Sequence, residues 1–221
     1  MITPESALQP VITGDGSQTL FSTQFQAHYH SIHGAVQESL HVFIRMGWEA
    51  LPAMEDPVYI LEMGLGTGLN AWLTSQHAQR AVYYHAVETH PVPAEVYTGL
   101  SYTTDATGQA QFEHIHLAPW EEPTEIRPGF VLLKHQQPLQ TFRPEAPFHL
   151  VYYDAFAPDT QPELWTAETL AHVRSLMCTG GVWVSYCAKG VVRRTLQAVG
   201  FRVERCPGPP GKHEMLRAIA I

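Results

Sequence analysis

Short, almost continuous apolar runs alternate with stretches of helical spacing along the chain beyond residue 55. Such runs are typical of strands that a sheet buries on both faces, and the stretches between them are typical of the covering helices. The predicted strands are Val58–Met63, Ala81–Glu88, Phe112–Ala118, Phe148–Tyr153 and Gly181–Cys187. The predicted helices are Gly68–Arg80, a short one after Pro93, Pro162–Met177 and Val191–Val199. This alternation predicts an α/β fold with a mostly parallel sheet.

Two stretches depart from the alternation. Phe201–Arg205 and Met215–Ile221 have the pattern of strands with no helix between them, which predicts an antiparallel C-terminal hairpin at the edge of the sheet. Phe130–Lys134 and Leu139–Phe142 predict a second, inserted hairpin. The C-terminal hairpin distinguishes the predicted fold from the plain dinucleotide-binding fold.

The first 55 residues differ from the rest. They contain a Gly-Asp-Gly turn at Gly14–Gly16 and a predicted helix at Ala35–Trp48. Because this segment is short and apolar, we expect it to pack beside the sheet as a lid and not to fold alone. We therefore predict a single domain over residues 1–221, with an N-terminal lid at 1–55 and a core at 56–221.

Composition and charge narrow the possible environments and partners. The 221 residues carry a formal charge of -8, and no apolar run approaches the roughly 20 residues that cross a bilayer. The first ten residues lack the basic and apolar segments of a secretion signal, so we expect a cytoplasmic protein with no membrane partner. Between Lys189 and Arg217, however, seven basic residues stand against two acidic ones. This segment predicts a local phosphate-binding surface, with a solvated surface as the alternative.

Three alternating glycines follow the first core strand, in the sequence ILEMGLGTGLNA. A P-loop requires lysine and a hydroxyl residue after its last glycine, but Leu69 and Asn70 stand there. The dinucleotide fingerprint requires glycine in place of Leu69, and Glu62 disfavours a pyrophosphate beside it. The motif therefore favours a ligand that carries positive charge and no phosphate.

S-adenosylmethionine meets these requirements. Gly64, Gly66 and Gly68 would let the backbone approach its ribose and amino-acid portion, while Glu62 would balance positive charge. Glu88 ends the second core strand, 24 residues after Gly64, where nucleoside-binding folds place an acid on the ribose hydroxyls.

A third acidic residue, Asp154, ends the strand Phe148–Tyr153 and is followed by Phe156. A primary amine is largely protonated near neutral pH, so its methylation requires a group that orients it and accepts its proton. Asp154 can do both, and Phe156 can stack on a planar acceptor. The alternative is that Asp154 caps the helix predicted from Pro162, although eight residues is a long distance for a cap.

Five segments resemble the methyltransferase part of MnmC and its stand-alone form MnmD, the family that methylates an amine of the tRNA wobble uridine. They are YHSIHGAVQESLHVFI (Tyr29–Ile44), EMGLGTGLNA (Glu62–Ala71), DAFAPDTQPELWT (Asp154–Thr166), YCAKGVVRRTLQAVGF (Tyr186–Phe201) and GPPGKHEMLRA (Gly208–Ala218). The resemblance implies a Rossmann-like methyltransferase fold. It also implies transfer of methyl from S-adenosylmethionine to 5-aminomethyl-2-thiouridine in tRNA.

The resemblance also implies roles for individual residues. Those expected to hold the cofactor are Tyr29, Ser31, Glu38, Glu62, Gly64, Gly66, Gly68, Asn70, Glu88, Pro119 and Trp120. Asp154 and Phe156 are expected to face the amine, and Lys189, Arg193, Arg194 and Lys212 to contact tRNA phosphates. Because the sequence shows no flavin oxidase part, we expect a separate enzyme to supply the aminomethyl group.

Alternative functions follow from the same residues. An aminopropyltransferase or another amine methyltransferase would use the same fold, but an aminopropyltransferase normally has a second acid where Ala155 stands. A catalytically silent tRNA- or protein-binding module is the non-enzyme alternative. The tract with His28, His30 and His33 suggests a metal, which we reject because no carboxylate or cysteine accompanies it and methyl transfer requires none.

Overall fold

The computed structural model describes residues 8–52 and 56–221, where strands and helices alternate over most of the length. The strands are β1 (Leu8–Ile12), β2 (Gln18–Ser22), β3 (Ala27–His28), β4 (Val58–Met63), β5 (Val82–Val87), β6 (Thr124–Arg127), β7 (Phe130–His135), β8 (Phe148–Tyr153), β9 (Met177–Ser185), β10 (Phe201–Pro207) and β11 (Glu214–Ala220). The helices are α1 (Ala35–Ser39), α2 (Leu69–His77), α3 (Ala94–Tyr97), α4 (Ala106–Leu117), α5 (Ala167–Ser175) and α6 (Gly190–Ala198). None of the helices within these two ranges is long and apolar enough to span a membrane.

Eight strands form one sheet in the order β10-β11-β9-β8-β4-β5-β7-β6. The five strands from β9 to β7 are parallel to one another. β6 is antiparallel at one edge, and β11 and β10 form the antiparallel hairpin at the other. The predicted mostly parallel sheet and C-terminal hairpin are thus confirmed. The strand order reverses at β4, which is the position where open parallel sheets bind ligands.

The sheet has an apolar core on each face. Successive residues of β4 point to opposite sides, so that Ile60 packs in one core and Leu61 in the other. Leu73 of α2 belongs to the first core and Leu170 of α5 to the second. Each such side chain contributes about 1.5–3 kcal/mol when fully buried. Burial on both faces therefore fixes the register of the central strands. The register in turn fixes where the strands end.

The predicted strand at Phe112–Ala118 is wrong, because residues 112–117 form the second half of α4 and Ala118 is its C-cap. The buried Phe112 and Ile115 are three residues apart, which places them on one face of a helix. Asp105 caps the helix, since its side chain accepts a hydrogen bond of 2.7 Å from the amide of Gly108.

The predicted pairing of Phe130–Lys134 with Leu139–Phe142 is also wrong. The first segment, β7, pairs in parallel with β5 and forms its hairpin with β6, across a turn in which Gly129 has φ +79°. The second segment is a short 3-10 helix at Leu139–Thr141 that follows Pro138. The hairpin is therefore real, but its partner strand precedes β7.

The N-terminal segment contains a small antiparallel sheet, β1-β2-β3, that the sequence pattern did not predict. The predicted helix at Ala35–Trp48 occurs in three pieces: α1, a π-helical stretch at Leu40–Arg45 and a 3-10 turn at Trp48–Ala50. The boundary predicted at residue 55 lies outside the described residues, as does the start of the predicted lid. The division into lid and core stays a prediction.

Side chains at the Gly-Asp-Gly turn bind the start of helix α1. The amides at the start of α1 have no partners inside the helix. Thr13 Oγ1 accepts from the amide of Ala35 at 3.2 Å, and Asp15 Oδ2 accepts from the amide of Gln37 at 3.0 Å. The turn thus fixes α1, which precedes the strands that carry the site.

Candidate active site

A pocket lies at the carboxyl ends of β4, β5 and β8, at the reversal of strand order. The glycine loop after β4 supplies one wall, Glu88 after β5 the second and Asp154 after β8 the third. Phe25 and Tyr29 of the N-terminal segment complete it. The predicted meeting of the glycine loop with two acidic residues is therefore present in space.

The glycine loop requires glycine for geometric reasons at two positions. Gly64 has φ +87°, and a Cβ there would lie 3.1 Å from the carbonyl oxygen of Asp154. Gly66 has φ +51°, and its Cβ would lie 3.0 Å from the ring of Tyr29. Both residues line the pocket, so the backbone is exposed to a ligand where a side chain would otherwise stand.

Glu62 is fully buried behind this loop. Neither of its carboxylate oxygens makes a hydrogen bond of good geometry within the described residues, although the side chains of Asn70 and Tyr84 lie close enough to lower its pKa, and the buried Oδ1 of Asn70 also has no partner there. Burial raises the pKa of Glu62 well above its ordinary value, and the nearby charge of Asp154 raises it further. Buried polar atoms in proteins almost always have partners. These three oxygens therefore fit a ligand that brings hydrogen-bond donors and positive charge.

Glu88 is held by backbone amides at the end of β5. Its Oε1 accepts from the amides of Thr89 and His90, each at 2.8 Å, and its Oε2 accepts from the amide of Gly66 at 3.2 Å. The carboxylate thereby connects the end of β5 to the glycine loop. A carboxylate oxygen accepts more than one hydrogen bond, so both oxygens can still accept from ligand hydroxyls.

Asp154 is half-buried, and it lines the pocket. Asn70, at the first turn of α2, donates a hydrogen bond of 2.8 Å from Nδ2 to Oδ2 of this carboxylate. Burial raises the pKa of Asp154 to about 7, with a further contribution from the negative charge of Glu38. A carboxylate with this pKa can exchange a proton near neutral pH.

Three aromatic rings enclose the pocket beside Asp154. The ring of Phe156 lies 4.8 Å from that of Phe25 and 5.2 Å from that of Tyr29, measured between centroids. The backbone around Phe156 is fixed, because its amide donates to Oε1 of Gln161 and its carbonyl accepts from Nε1 of Trp165. Phe156 is thus positioned both by its own loop and by the N-terminal segment.

A second, adjoining pocket lies on the far side of Gly66 and Glu88. It is lined by Tyr97, His116, Trp120 and Lys134, among others. The rings of Tyr97 and His116 are parallel at 4.3 Å, and the Lys134 ammonium lies 4.8 Å from the centroid of Trp120. Burial lowers the pKa of His116 to about 4, so that its ring is neutral. Its flat rings, those of Tyr97, His116 and Trp120, suit a nucleobase, and polar groups stand beside them.

The structure brings most predicted site residues to these pockets. Lining the first are Tyr29, Gly64, Gly66, Asn70, Glu88, Asp154 and Phe156, and Trp120 lines the second. Ser31, Glu38, Glu62, Gly68 and Pro119 are not among the lining residues of either pocket. Sequence reasoning missed Phe25, His30, Thr89, His90, Gln161 and Tyr186, which line the first pocket. Of these, Thr89 and His90 were detectable, because they directly follow an acid at a strand end.

Three of the four predicted tRNA-binding cations lie at or on α6. Lys189 precedes the helix and pairs with Asp159, Arg193 is half-buried, and Arg194 is exposed. Their role in tRNA binding stays a prediction.

The fourth, Lys212, lies in the loop between β10 and β11 and has a different environment. Its ammonium is 2.6 Å from Oε2 of the buried Glu38 and 4.0 Å from the ring centroid of Tyr186. Two contacts inside the protein thus hold this cation.

The histidine tract forms no metal site within residues 8–52 and 56–221, where no group of three or more His, Cys, Asp or Glu residues could hold an ion. His30 is buried, and its Nδ1 lies 3.2 Å from Oγ1 of Thr19. Burial lowers the pKa of His30 to about 4. Burial and the contact with Thr19 therefore explain His30 as a structural residue.

Comparison with known proteins agrees with this geometry. Residues 135–220 match a family described as S-adenosyl-L-methionine-dependent methyltransferase. The tRNA 5-methylaminomethyl-2-thiouridine biosynthesis bifunctional protein MnmC of Cupriavidus metallidurans is 28% identical over 225 residues, which cover 94% of this chain and 33% of that protein. The protein of the same name from Aromatoleum aromaticum is 30% identical, over 93% of this chain and 34% of its own length. The chain therefore spans about a third of the length of these curated relatives.

Among solved structures, MnmC2 from Aquifex aeolicus superposes with a TM-score of 0.78 and 23% sequence identity. The superposition covers 98% of this chain and 72% of that one. At this identity the likeness concerns the fold, and it extends over the N-terminal segment as well as the sheet.

Proposed function

Because the chain belongs to the MnmC/MnmD-type family of S-adenosyl-L-methionine-dependent methyltransferases, we propose that it methylates the aminomethyl nitrogen of 5-aminomethyl-2-thiouridine at the tRNA wobble position. The product is 5-methylaminomethyl-2-thiouridine. The observation that carries this proposal is the position of Asp154. Its carboxylate lines the same pocket as the glycine loop and Glu88, with the ring of Phe156 close by. An amine acceptor requires a group that orients it and accepts its proton, and this carboxylate can do both.

The residues around the glycine loop would hold S-adenosylmethionine, which supplies an electrophilic methyl group on a positively charged sulfur. Glu62 and Oδ1 of Asn70 provide buried acceptors that lack a hydrogen bond of good geometry within the described residues, suited to the ammonium of its amino-acid portion. Glu88 provides acceptors for ribose hydroxyls. The second pocket, with Trp120, suits the adenine ring. The positive charge of the ligand would favour the ionised forms of Glu62 and Asp154.

Asp154 would act on the acceptor amine. As a carboxylate it would pair with the ammonium form and accept one proton, which leaves a lone pair on the nitrogen. This lone pair would form the bond to the methyl carbon while the bond from that carbon to sulfur breaks, and S-adenosylhomocysteine would leave as the neutral thioether. Asn70 keeps the carboxylate oriented through its 2.8 Å hydrogen bond. The aromatic enclosure by Phe25, Tyr29 and Phe156 excludes water and offers a flat surface for the uracil ring.

Macromolecular partners follow from the same proposal. The exposed Arg194, with Lys189 and Arg193 beside it, would contact tRNA phosphates in a salt-dependent manner. A separate enzyme would supply the aminomethyl group that this chain methylates.

The proposal is tested with radiolabelled S-adenosylmethionine and two tRNA preparations, one with and one without the aminomethyl group on the wobble uridine. We expect label only in the first, on the side-chain nitrogen. Equal labelling of both preparations would contradict an amine acceptor on the uridine. A parallel reaction with decarboxylated S-adenosylmethionine and a diamine tests the aminopropyl alternative, for which we expect no product.

A further inference from the structure

The contact between Lys212 and Glu38 joins two distant parts of the chain beside the active site. Glu38 lies on α1 in the N-terminal segment, and Lys212 lies in the loop between β10 and β11. Their charged atoms are 2.6 Å apart, and the side chain of Glu38 is only 7% exposed. A charge buried this deeply destabilises the fold unless it is paired. Lys212 supplies the positive charge that pairs with Glu38.

Both residues are connected to the walls of the pocket. The second carboxylate oxygen of Glu38 accepts a hydrogen bond of 2.8 Å from the amide of Ser31, two residues after Tyr29. On the other side, the Lys212 ammonium contacts the ring of Tyr186, whose hydroxyl donates a 2.9 Å hydrogen bond to the carbonyl of Ala155. Ala155 directly follows Asp154. The pair thus connects the segment that carries Tyr29 to the loop that carries the acceptor carboxylate.

The charges around Asp154 give the pair an electrostatic effect as well. Negative groups face Asp154 from two elements, Glu62 on β4 and Glu38 on α1. Glu88, after β5, adds a third negative charge next to Glu62. Lys212 opposes them and favours the ionised form of Asp154.

The uncharged polar groups near Asp154 are Asn70 on α2, which donates to the carboxylate, Tyr84 on β5, and Tyr186, after β9. The neutral His30 faces Glu38 and Lys212. Lys212 is therefore the cation that acts on Asp154 among the described residues that face it.

We propose that Lys212 and Glu38 form a positioning pair, which holds the N-terminal segment closed against the acceptor wall and keeps a positive charge near Asp154. The pair touches neither the methyl donor nor the amine, and it acts through Tyr186, Ser31 and Asp154. This inference rests on the proposed amine methylation for its effect on turnover, but its effect on the closed N-terminal segment does not depend on that function. It is the alternative to the expectation that Lys212 contacts tRNA phosphate.

Four variants separate the two effects. Lys212→Met removes the cation, and the amide of Ser31 still stabilises Glu38 as an anion. Lys212→Arg keeps the charge. The double variant Glu38→Gln/Lys212→Met removes both charges. Arg205→Met is the matched control, because Arg205 lies on the same hairpin, is 54% exposed and pairs with Glu214 at 3.5 Å on the surface.

Hydrogen exchange of the backbone amides at residues 29–38 measures closure of the N-terminal segment without any reaction. We expect exchange in this range to accelerate at least about tenfold in Lys212→Met and in the double variant, because the segment loses its anchor, and to stay unchanged in Lys212→Arg and Arg205→Met. Unchanged exchange in Lys212→Met would overturn the closing role. This result is independent of whether the chain methylates tRNA.

The pH dependence of methyl transfer measures the electrostatic role. In Lys212→Met the midpoint of the pH profile should rise by about half to one unit, because a cation near a carboxylate favours its ionised form. The double variant should return close to the original midpoint, since the opposing charge of Glu38 is also gone. An unshifted midpoint in Lys212→Met would overturn the electrostatic role of Lys212. If this variant instead lost tRNA affinity and its salt dependence while the pH profile stayed unaltered, Lys212 would be a tRNA contact and the electrostatic role would also be overturned. Absence of transfer in the unmodified protein would instead contradict the proposed function.

Discussion

At the scale of single residues, the proposed role of Asp154 predicts a pH dependence of methyl transfer. Burial raises the pKa of this carboxyl to about 7, so it is largely neutral at pH 6 and largely ionised at pH 8. Only the ionised form accepts a proton. We therefore expect kcat/KM for methyl transfer, which reflects the unliganded protein, to rise with pH through about 7 and then level off, as measured with labelled S-adenosylmethionine at low concentrations of both substrates. A kcat/KM that is flat from pH 6 to 8 would exclude Asp154 as the proton acceptor.

Asp154→Asn is the matching variant, because the amide has the same shape and cannot accept the proton. We expect transfer to fall about 100-fold or more. Binding of S-adenosylmethionine, followed by calorimetry, should remain measurable, since Glu62, Glu88 and the glycine loop are intact. Full activity of this variant would remove Asp154 from the mechanism.

Gly66 offers a second test at the same scale, with Gly16 as its control. Both glycines have positive φ, +51° and +82°, and alanine at either costs about 1–2 kcal/mol in backbone conformation. Only at Gly66 would the new methyl group meet a neighbour, the ring of Tyr29, whereas nothing lies within 4 Å of a Cβ at Gly16. Gly66→Ala should therefore weaken binding of S-adenosylmethionine about tenfold or more, which is about 1.4 kcal/mol. Equal affinities of the two variants would show that the pocket does not depend on this contact.

The sequence predicted those site residues whose place follows from the ends of strands. Asp154 and Glu88 each follow an apolar run directly, and parallel strands bring such positions to one edge. Tyr186 was missed because the predicted strand ran to Cys187 and placed Tyr186 inside it, whereas β9 ends at Ser185 and Tyr186 follows directly. A contact of Lys212 with tRNA stays a prediction, because a basic cluster in a sequence looks the same whether its members point outward or, like Lys212, also pair inside the protein.

At the scale of secondary-structure elements, the errors have local causes. Few positions of α4 are buried, so the short stretch with Phe112 and Ile115 has too little periodicity to distinguish a helix from a strand. Asp105, which caps the helix, was the better indication of a helix start. The sheet β1-β2-β3 was missed because its strands have five, five and two residues and are partly exposed. The central strands β4, β5 and β8 were predicted to within one residue at each end, because burial on both faces makes them mostly apolar. β9 begins at Met177, four residues before the predicted start, because its first residues include the exposed Thr179 and Gly180.

Helix α6 presents basic residues that we expect to bind tRNA. Arg194 is exposed on it, next to the half-buried Arg193 and after Lys189. If this helix contacts tRNA phosphates, Arg194→Glu should weaken tRNA binding and reduce the slope of log affinity against log salt concentration by about one.

Arg80→Glu serves as the control for this charge reversal. Arg80 lies just before β5, at the amino ends of the parallel strands and so opposite the pocket. Filter binding at several salt concentrations measures both variants. If they lower affinity equally, α6 has no specific part in tRNA recognition.

At the scale of the whole molecule, buried ionisable groups link the site to the stability of the fold. Burial lowers the pKa of His30, His85 and His116 to about 4, against about 6.5 in an unfolded chain. The unfolded chain therefore binds more protons at these histidines as the pH falls below 6.5. Asp154 and Glu62 have the opposite effect, because their raised pKa values make the folded state retain protons that the unfolded chain has already released.

The sum predicts a stability maximum near pH 6.5. Below this pH, the three histidines outnumber the two carboxyls, and each net proton bound by the unfolded state lowers the free energy of unfolding by about 1.4 kcal/mol per pH unit. Above it, the histidines are neutral in both states, and stability falls as the pH rises through the folded pKa of Asp154. Calorimetric Tm values at pH 5, 6.5 and 8 test this. Asp154→Asn should flatten the alkaline side and steepen the acid side, because below pH 6.5 the folded carboxyl retains a proton and so opposes the histidines. A Tm that climbs steadily to pH 8 would contradict the assignment of protonated carboxyls in the folded state. Ionisation of Asp154 above pH 7 thus lowers the free energy of unfolding, although the proposed reaction uses this ionised form. We therefore expect a cationic ligand to stabilise the fold most above pH 7, where it pairs with the ionised carboxylate.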